Sequence, residues 1–240
     1  MTTTHQLTVS TPDGPMNLYE ALPDGAPRGA VVVIQEAFGV NDHIQDVTRR
    51  IGDAGYRAVA PTMFHRAGGG TAPYTDFAKV MPLFKGVSDA SIVMDVDAAL
   101  GHLRGAGFGD ARIGLVGFCF GGRVSFLVAT QRKLGAAVGF YGGGIVSARR
   151  GGFPTLIGDT AKLATPWLGL FGDKDGGIPI EDVETLRATL AKEAKVANEI
   201  VRYPDAEHGF NCDARASYHE ASAKDAWARM LDWFERHLAR

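Results

Sequence analysis

The stretch GLVGFCFGGR, Gly114 to Arg123, sets a cysteine at the centre of a glycine-rich turn. The apolar run Ile113 to Val116 before it reads as a strand, and Val124 to Val128 after it reads as part of a helix free of breakers. Glycines stand two residues before and two after Cys119, so the chain can fold back there without a Cβ collision. A nucleophile on such a strand-to-helix turn is held in a strained backbone conformation that exposes its side chain. It also sits near a helix N-terminus, where the dipole and the N–H groups favour a thiolate. A small buried cysteine is the plainer alternative; the frame around Cys119 favours the nucleophile.

A cysteine nucleophile needs a base and an acid that orients the base, in the chain order nucleophile, acid, base for this kind of turn. The acid belongs after a late strand, and Gly172-Asp-Lys-Asp175-Gly-Gly-Ile-Pro179 follows the apolar run Pro166 to Phe171. Asp173 stands at the strand end, where it could cap the turn. Asp175 lies further into the loop, before two glycines, and is favoured. The base belongs after the last strand, where Glu207-His208-Gly-Phe210 supplies His208. Of the other histidines, His5 is terminal, His43 is near a helix start, and His102, His219 and His237 read as helical surface. His65, in a long loop, could rim a pocket. Glu36, in Gln35-Glu-Ala-Phe-Gly39, is one more charged residue at a strand end, in the loop where such a site takes its second oxyanion-binding N–H.

These residues need a scaffold that brings strand ends together. The N-terminus reads as a hairpin, Gln6 to Ser10 and Met16 to Ala21 about a turn at Thr11 to Gly14. Ala30 to Ile34 is apolar on both faces and β-branched, as a central parallel strand should be. Helical stripes (Ile44, Val47, Ile51; Ile92, Val96, Leu100, Leu103; Val183, Leu186, Leu190) then alternate with short strands at Arg57 to Ala60, Ile113 to Val116, Gly135 to Phe140, Pro166 to Phe171 and Glu199 to Tyr203. Trp227, Met230, Phe234 and Leu238 mark the inner face of a C-terminal helix, and Pro61 to Pro73 reads as a glycine-rich loop. Alternation of this kind calls for an α/β domain: a mostly parallel central sheet with antiparallel N-terminal edge strands and helices on both faces. No composition break marks a linker, so residues 1–240 read as a single domain.

Composition narrows the function. With 240 residues, 45% hydrophobic and 22% charged, the chain is an ordinary globule in all but its 31 glycines, which suit many tight turns. A net charge of −2 gives no basic footprint for nucleic acid, and no Lys/Arg run points to a membrane surface. No apolar run approaches the ~20 residues needed to span a bilayer, and the N-terminus lacks the pattern of a secretory signal. Two cysteines without a CxxC leave no zinc or disulfide framework. The expectation is a cytoplasmic protein with reduced thiols that needs no metal or organic cofactor and acts on a small molecule.

At this point the sequence resembles the dienelactone hydrolase family. The likeness is carried by VVVIQEAFGVN (Val31 to Asn41), GLVGFCFGGR, FGDKDGGIP (Phe171 to Pro179) and EHGF (Glu207 to Phe210). The resemblance implies an α/β-hydrolase fold, a Cys119–Asp175–His208 triad, and an oxyanion hole from the backbone N–H groups of Ala37 and Phe120. It selects Asp175 over Asp173. It also implies that Glu36 contacts the resting thiol and that substrate binding rearranges those contacts, a gate that like-charge repulsion makes sensible. The reaction implied is hydrolysis of an ester or lactone through a thioester. Where the best-characterised branch has a carboxylate-binding arginine four residues after the catalytic histidine, this chain has Cys212, and Pro73 to Lys85 holds only Lys79 and Lys85 as cations. Arg123, Arg215 and Tyr141 are the remaining candidates for substrate contacts, and Cys212 reads as a packing residue. A thiol-based redox switch or ligand-binding protein on the same scaffold is the alternative, motivated by the second thiol and the unmatched arginine.

Overall fold

The structure, a computed structural model, describes residues 2–148 and 152–239. The chain divides into two compact units, Met1–Leu115 with Ala239–Arg240, and Val116–Leu238.

In the first unit, β1 (Thr3–Thr11) and β2 (Gly14–Leu22) form the expected antiparallel hairpin, with Thr11 opposite Gly14. β3 (Ala30–Ile34) is buried at every position, as an unbroken run of β-branched residues requires. It pairs in parallel with β4 (Arg57–Pro61), which pairs antiparallel with β2. Between β3 and β4 runs α1 (Asp42–Asp53), started by Asn41, whose side chain accepts the Ile44 N–H at 3.1 Å. α1 packs Ile44, Val47 and Ile51 inward, the stripe read from the sequence. The long loop after β4 is not wholly irregular. It contains 3₁₀ turns at His65–Ala67 and Phe77–Lys79 and a short helix α2 (Val80–Leu83), each too brief to leave a periodic signal. α3 (Asp89–Gly105) opens on a reciprocal Ser88–Ser91 capping box and buries Ile92, Val96, Leu100 and Leu103.

The division between the units falls inside β5 (Ile113–Phe118). The second unit then holds α4 (Phe120–Gln131), β6 (Ala136–Phe140), β7 (Trp167–Gly172), α5 (Ile180–Glu193), β8 (Asn198–Tyr203) and α6 (Glu220–His237). β6 pairs with β7 and β7 with β8, both in parallel. α4 and α6 pack on β6 and β7, and α5 packs on β8. Trp167 is fully buried, edge-on to Phe126, and its indole N–H donates to Ser125 Oγ at 3.1 Å. On α6 the buried residues are Ser222, Ala223, Ala226, Met230, Trp233 and Phe234. Trp233, not Trp227, takes the inner place. The inward face follows the 223, 226, 230, 233 steps of the helix and leaves Trp227 at its margin.

The strands hydrogen-bond in the order β1-β2-β4-β3-β5-β6-β7-β8. An edge of antiparallel strands, a mostly parallel remainder and helices packed around it make this an α/β fold of the expected kind. Among the described residues, no helix is long and apolar enough to cross a membrane.

Candidate active site

Cys119 occupies the single-residue corner between β5 and α4, with φ 54° and ψ −110°. Together with Tyr141 it is one of two non-glycine residues at positive φ among the described residues, a conformation that costs on the order of 1–3 kcal/mol. The corner is locked from several sides. The Cys119 N–H donates to Phe140 O at 3.0 Å, and the Cys119 carbonyl accepts from the N–H groups of Gly122 and Arg123 at 3.0 and 3.3 Å. A Cβ on Gly117 would fall inside the Gly121 backbone, and one on Gly122 would strike the Phe140 carbonyl and the Gly142 backbone. The glycines flanking the cysteine are therefore needed for the turn itself. Phe120 is the first residue of α4, so the helix offers its N–H no acceptor, and the positive end of the helix dipole falls at Cys119, the N-cap residue.

Two further loops complete the group. After β7, the Asp173 N–H donates to Tyr203 O and the Lys174 N–H to Ala206 O, at 2.9 and 3.0 Å. A Cβ on Gly172 would collide with the Ala206 carbonyl, so glycine there lets the loops after β7 and β8 lie side by side. This brings Asp175 to His208. The His208 Nδ1–H donates to Asp175 Oδ2 at 2.6 Å, and Asp175 Oδ1 accepts the Gly177 N–H at 2.8 Å. At the far side of the ring, Nε2 lies 3.0 Å from Cys119 Sγ. Asp175 is buried and His208 partly so. Burial alone would push His208 down. Electrostatic attraction to the Cys119 sulfur and the hydrogen bonds to Asp175 and Cys119 outweigh it and raise the group to about 10. The three residues can thus carry nucleophilic acyl transfer, with sulfur, proton and orienting carboxylate in line.

Asp173 is engaged elsewhere. Its two carboxylate oxygens accept from Arg202 Nε and Nη2 at 2.7 and 2.8 Å, a bidentate pair at the sheet end. His65 is bonded to Asp95 at 3.1 Å, a carboxylate also held by Arg66, rather than standing open in a loop.

The substrate-contact candidates have specific surroundings. Tyr141 is fully buried, with its ring edge-on to the His208 imidazole at 5.2 Å and to Phe210 at 5.3 Å. Arg123 is buried. Its Nη2 donates to Pro154 O at 2.6 Å and its guanidinium lies 5.0 Å over the Phe153 ring. The same ring stands 5.8 Å from that of Phe120. The Arg215 guanidinium rests against Gly209, the residue after His208, where φ is +81° and a Cβ would meet it. Cys212 is fully buried, as a packing residue would be.

In the first unit, Glu36 and Ala37 form a tight turn at the end of β3, closed by a bridge between Glu36 and Gly39. Glu36 is fully buried, and its Oε2 accepts the Tyr74 hydroxyl at 2.7 Å. Tyr74 and Phe153 are the contacts that sequence reasoning did not single out. Both lie in loops, where spacing carries no contact information. For Tyr141 there was a signal: it ends a strand and precedes three glycines, the mark of a close backbone approach.

The fold and this set of side chains define an α/β hydrolase. The sequence pattern of the dienelactone hydrolase family matches residues 16–238, so the chain belongs to the dienelactone hydrolase family. A Yersinia pestis protein provisionally named carboxymethylenebutenolidase is 39% identical over 237 residues, covering 97% of this chain and 88% of the relative. One of the same provisional name from Escherichia coli K12 is 41% identical over 231 residues, covering 92% of this chain and 83% of the relative. A crystal structure of a provisionally named dienelactone hydrolase from Klebsiella pneumoniae superposes with a TM-score of 0.90 at 38% identity, covering 98% of this chain and 99% of that one. Membership makes the protein a hydrolase of ester bonds.

Proposed function

We propose that the protein hydrolyses a carboxylic ester or lactone with Cys119 as nucleophile, His208 as proton carrier and Asp175 as its orienting carboxylate. The observation that carries this reading is the His208 ring, bonded through one nitrogen to Asp175 and through the other to Cys119. The Cys119 thiol passes its proton to His208 Nε2 as the sulfur attacks the carbonyl carbon, and the carbonyl electrons move onto oxygen, received by the N–H groups of Ala37 and Phe120. Collapse of the tetrahedral adduct breaks the C–O bond, and the leaving alkoxide takes the proton from His208 Nε2. The product at this stage is a thioester on Cys119. Having given its proton to the leaving group, the imidazole is neutral and takes one from water. Hydroxide adds, the thiolate leaves and takes the proton back from the imidazolium, and the resting thiol is restored. The acid and alcohol products separate, or stay joined as one hydroxy acid when the substrate is a lactone.

In this reading Glu36 is the carboxylate that opposes idle thiolate formation until substrate binding rearranges its contact with the thiol, its bond to Tyr74 being kept, and Tyr141 holds the histidine ring. The protein acts as a single domain in the cytoplasm, without metal or organic cofactor. The relatives' names make carboxymethylenebutenolide the first lactone to test. A thiol switch has less support, because the second thiol, Cys212, is fully buried.

The test is a panel of lactones and short p-nitrophenyl esters, with rapid quenching and intact-mass measurement of the enzyme. An acyl adduct on Cys119 that disappears with turnover supports the mechanism. Undiminished turnover by Cys119→Ala on every active substrate would overturn it.

A further inference from the structure

Glu36 carries a carboxylate into a fully buried position. A carboxyl group removed from water needs donors, and Tyr74 supplies one through its hydroxyl, at a length ordinary for an O–H···O bond. The hydroxyl is not the whole contact. The Tyr74 ring stands edge-on to Phe38 with centroids 4.6 Å apart. Tyr74 therefore grips the residue before Ala37 by a hydrogen bond and the residue after it by ring packing.

The rest of the turn is pinned independently. Glu36 and Gly39 form a backbone bridge, and the Ala72 N–H donates to Phe38 O at 3.0 Å. Gly39 has φ +84°, and a Cβ there would press on the Gly70 carbonyl. Ala72 and Val80 pack with Phe38, joined by Ala37, Tyr74, Leu83 and Phe84. With both neighbours of Ala37 held, the direction of the peptide N–H between them has little freedom left. An oxyanion donor must point where charge develops, so a small loss of aim at this amide is costly to the transition state and cheap in the ground state.

We propose that Tyr74 is a positioning residue for the Glu36–Ala37 turn, acting on the reaction through the Glu36 carboxylate. The inference rests on the reading that this turn serves the hydrolytic site.

Tyr74→Phe separates the two halves of the contact, since phenylalanine keeps the ring against Phe38 and removes only the hydroxyl. The expected result is a kcat lowered about tenfold, with KM changed by less than about twofold and a thermal unfolding midpoint lowered by only about 2–8 °C as a buried acceptor loses its donor. The second arm is Glu36→Ala, alone and combined with Tyr74→Phe. If Tyr74 acts through Glu36, the tyrosine change has no further effect once the carboxylate is absent. A wild-type kcat in Tyr74→Phe, an effect confined to KM, or full additivity in the double variant would each overturn the proposal. Cys119→Ala is assayed alongside. Full turnover there would fault the parent reading instead, and a dead Cys119→Ala with a normal Tyr74→Phe faults this inference alone.

Discussion

His208 Nε2 lies 3.0 Å from Cys119 Sγ, close enough for one proton to serve both atoms. The same ring donates from Nδ1 to Asp175 at 2.6 Å, so its tautomer and plane are fixed from behind. The edge of Tyr141 at 5.2 Å fills a third side of the imidazole. A histidine placed between a sulfur and a carboxylate holds its proton more tightly than a histidine in water.

That placement predicts the pH dependence. Burial lowers His208, but electrostatic attraction to the Cys119 sulfur and the bonds to Asp175 and Cys119 raise it from 6.5 to about 10. A group raised on folding gives stability that is fully present below its unfolded value and lost as pH rises through the folded one. In the proposed mechanism the attacking pair shares one proton held on His208, so kcat/KM is expected to stay on a plateau through neutral pH and to fall on an alkaline limb near pH 10. Initial rates with a neutral ester, buffered across the alkaline range, check this. A limb near 6.5 would show that the sulfur and carboxylate do not hold the proton.

Asp175→Asn keeps the shape of the side chain and removes its charge. The amide can present its NH₂ to His208 Nδ1 and trap the wrong tautomer, while the loop bond from Gly177 survives. We expect kcat/KM to fall by about 10²–10⁴ with little loss of folded protein. Asp173→Asn serves as the comparison. That residue pairs with Arg202, and its replacement should leave turnover within a fewfold of wild type. Steady-state kinetics of the two variants decide between the neighbouring aspartates.

How far the sequence reached differs from residue to residue. The β5–Cys119–α4 corner was legible because its requirements are local: a strand, a helix and small residues two positions either side. β3 and α1 were legible for the same reason, one by its unbroken apolar run and the other by its stripe. The choice between Asp175 and Asp173 rested on loop position and on the family resemblance, and the geometry that separates them, Arg202 against His208, is long-range. Trp233 displaced Trp227 on α6 because a helical stripe fixes a face only to within one neighbour. Tyr74 and Phe153 were invisible, since loops impose no period and their partners lie about 30 or more residues away.

Gly117→Ala tests the corner as a folding element. The added methyl group has no room, because the Gly121 backbone already occupies its position. Relief requires the first turn of α4 to move, and with it the Cys119 bonds to Phe140 and Gly122. A loss of about 3 kcal/mol or more is expected, read as a lower urea midpoint by circular dichroism. An unchanged midpoint would mean that the corner relaxes freely and stores no strain.

Arg123 and Arg215 make different predictions for substrate charge. Arg123 donates to the Pro154 carbonyl and covers the Phe153 ring, whose other neighbour is Phe120. Its evident work is to hold Phe153 and Pro154 against the first turn of α4. Arg123→Met should therefore slow neutral and anionic esters by a similar factor and lower the unfolding midpoint. Arg215 lies on Gly209, the residue after His208, and under the proposed function it is the cation to test against an ester that carries a carboxylate. Arg215→Met should raise KM for an anionic ester by about tenfold or more while leaving its neutral isostere within about twofold. Parallel kinetics on a matched pair of esters, one acidic and one methylated, check both variants at once. An equal loss on the two substrates in Arg215→Met would remove the charge argument and leave Arg215, like Arg123, a support for its loop.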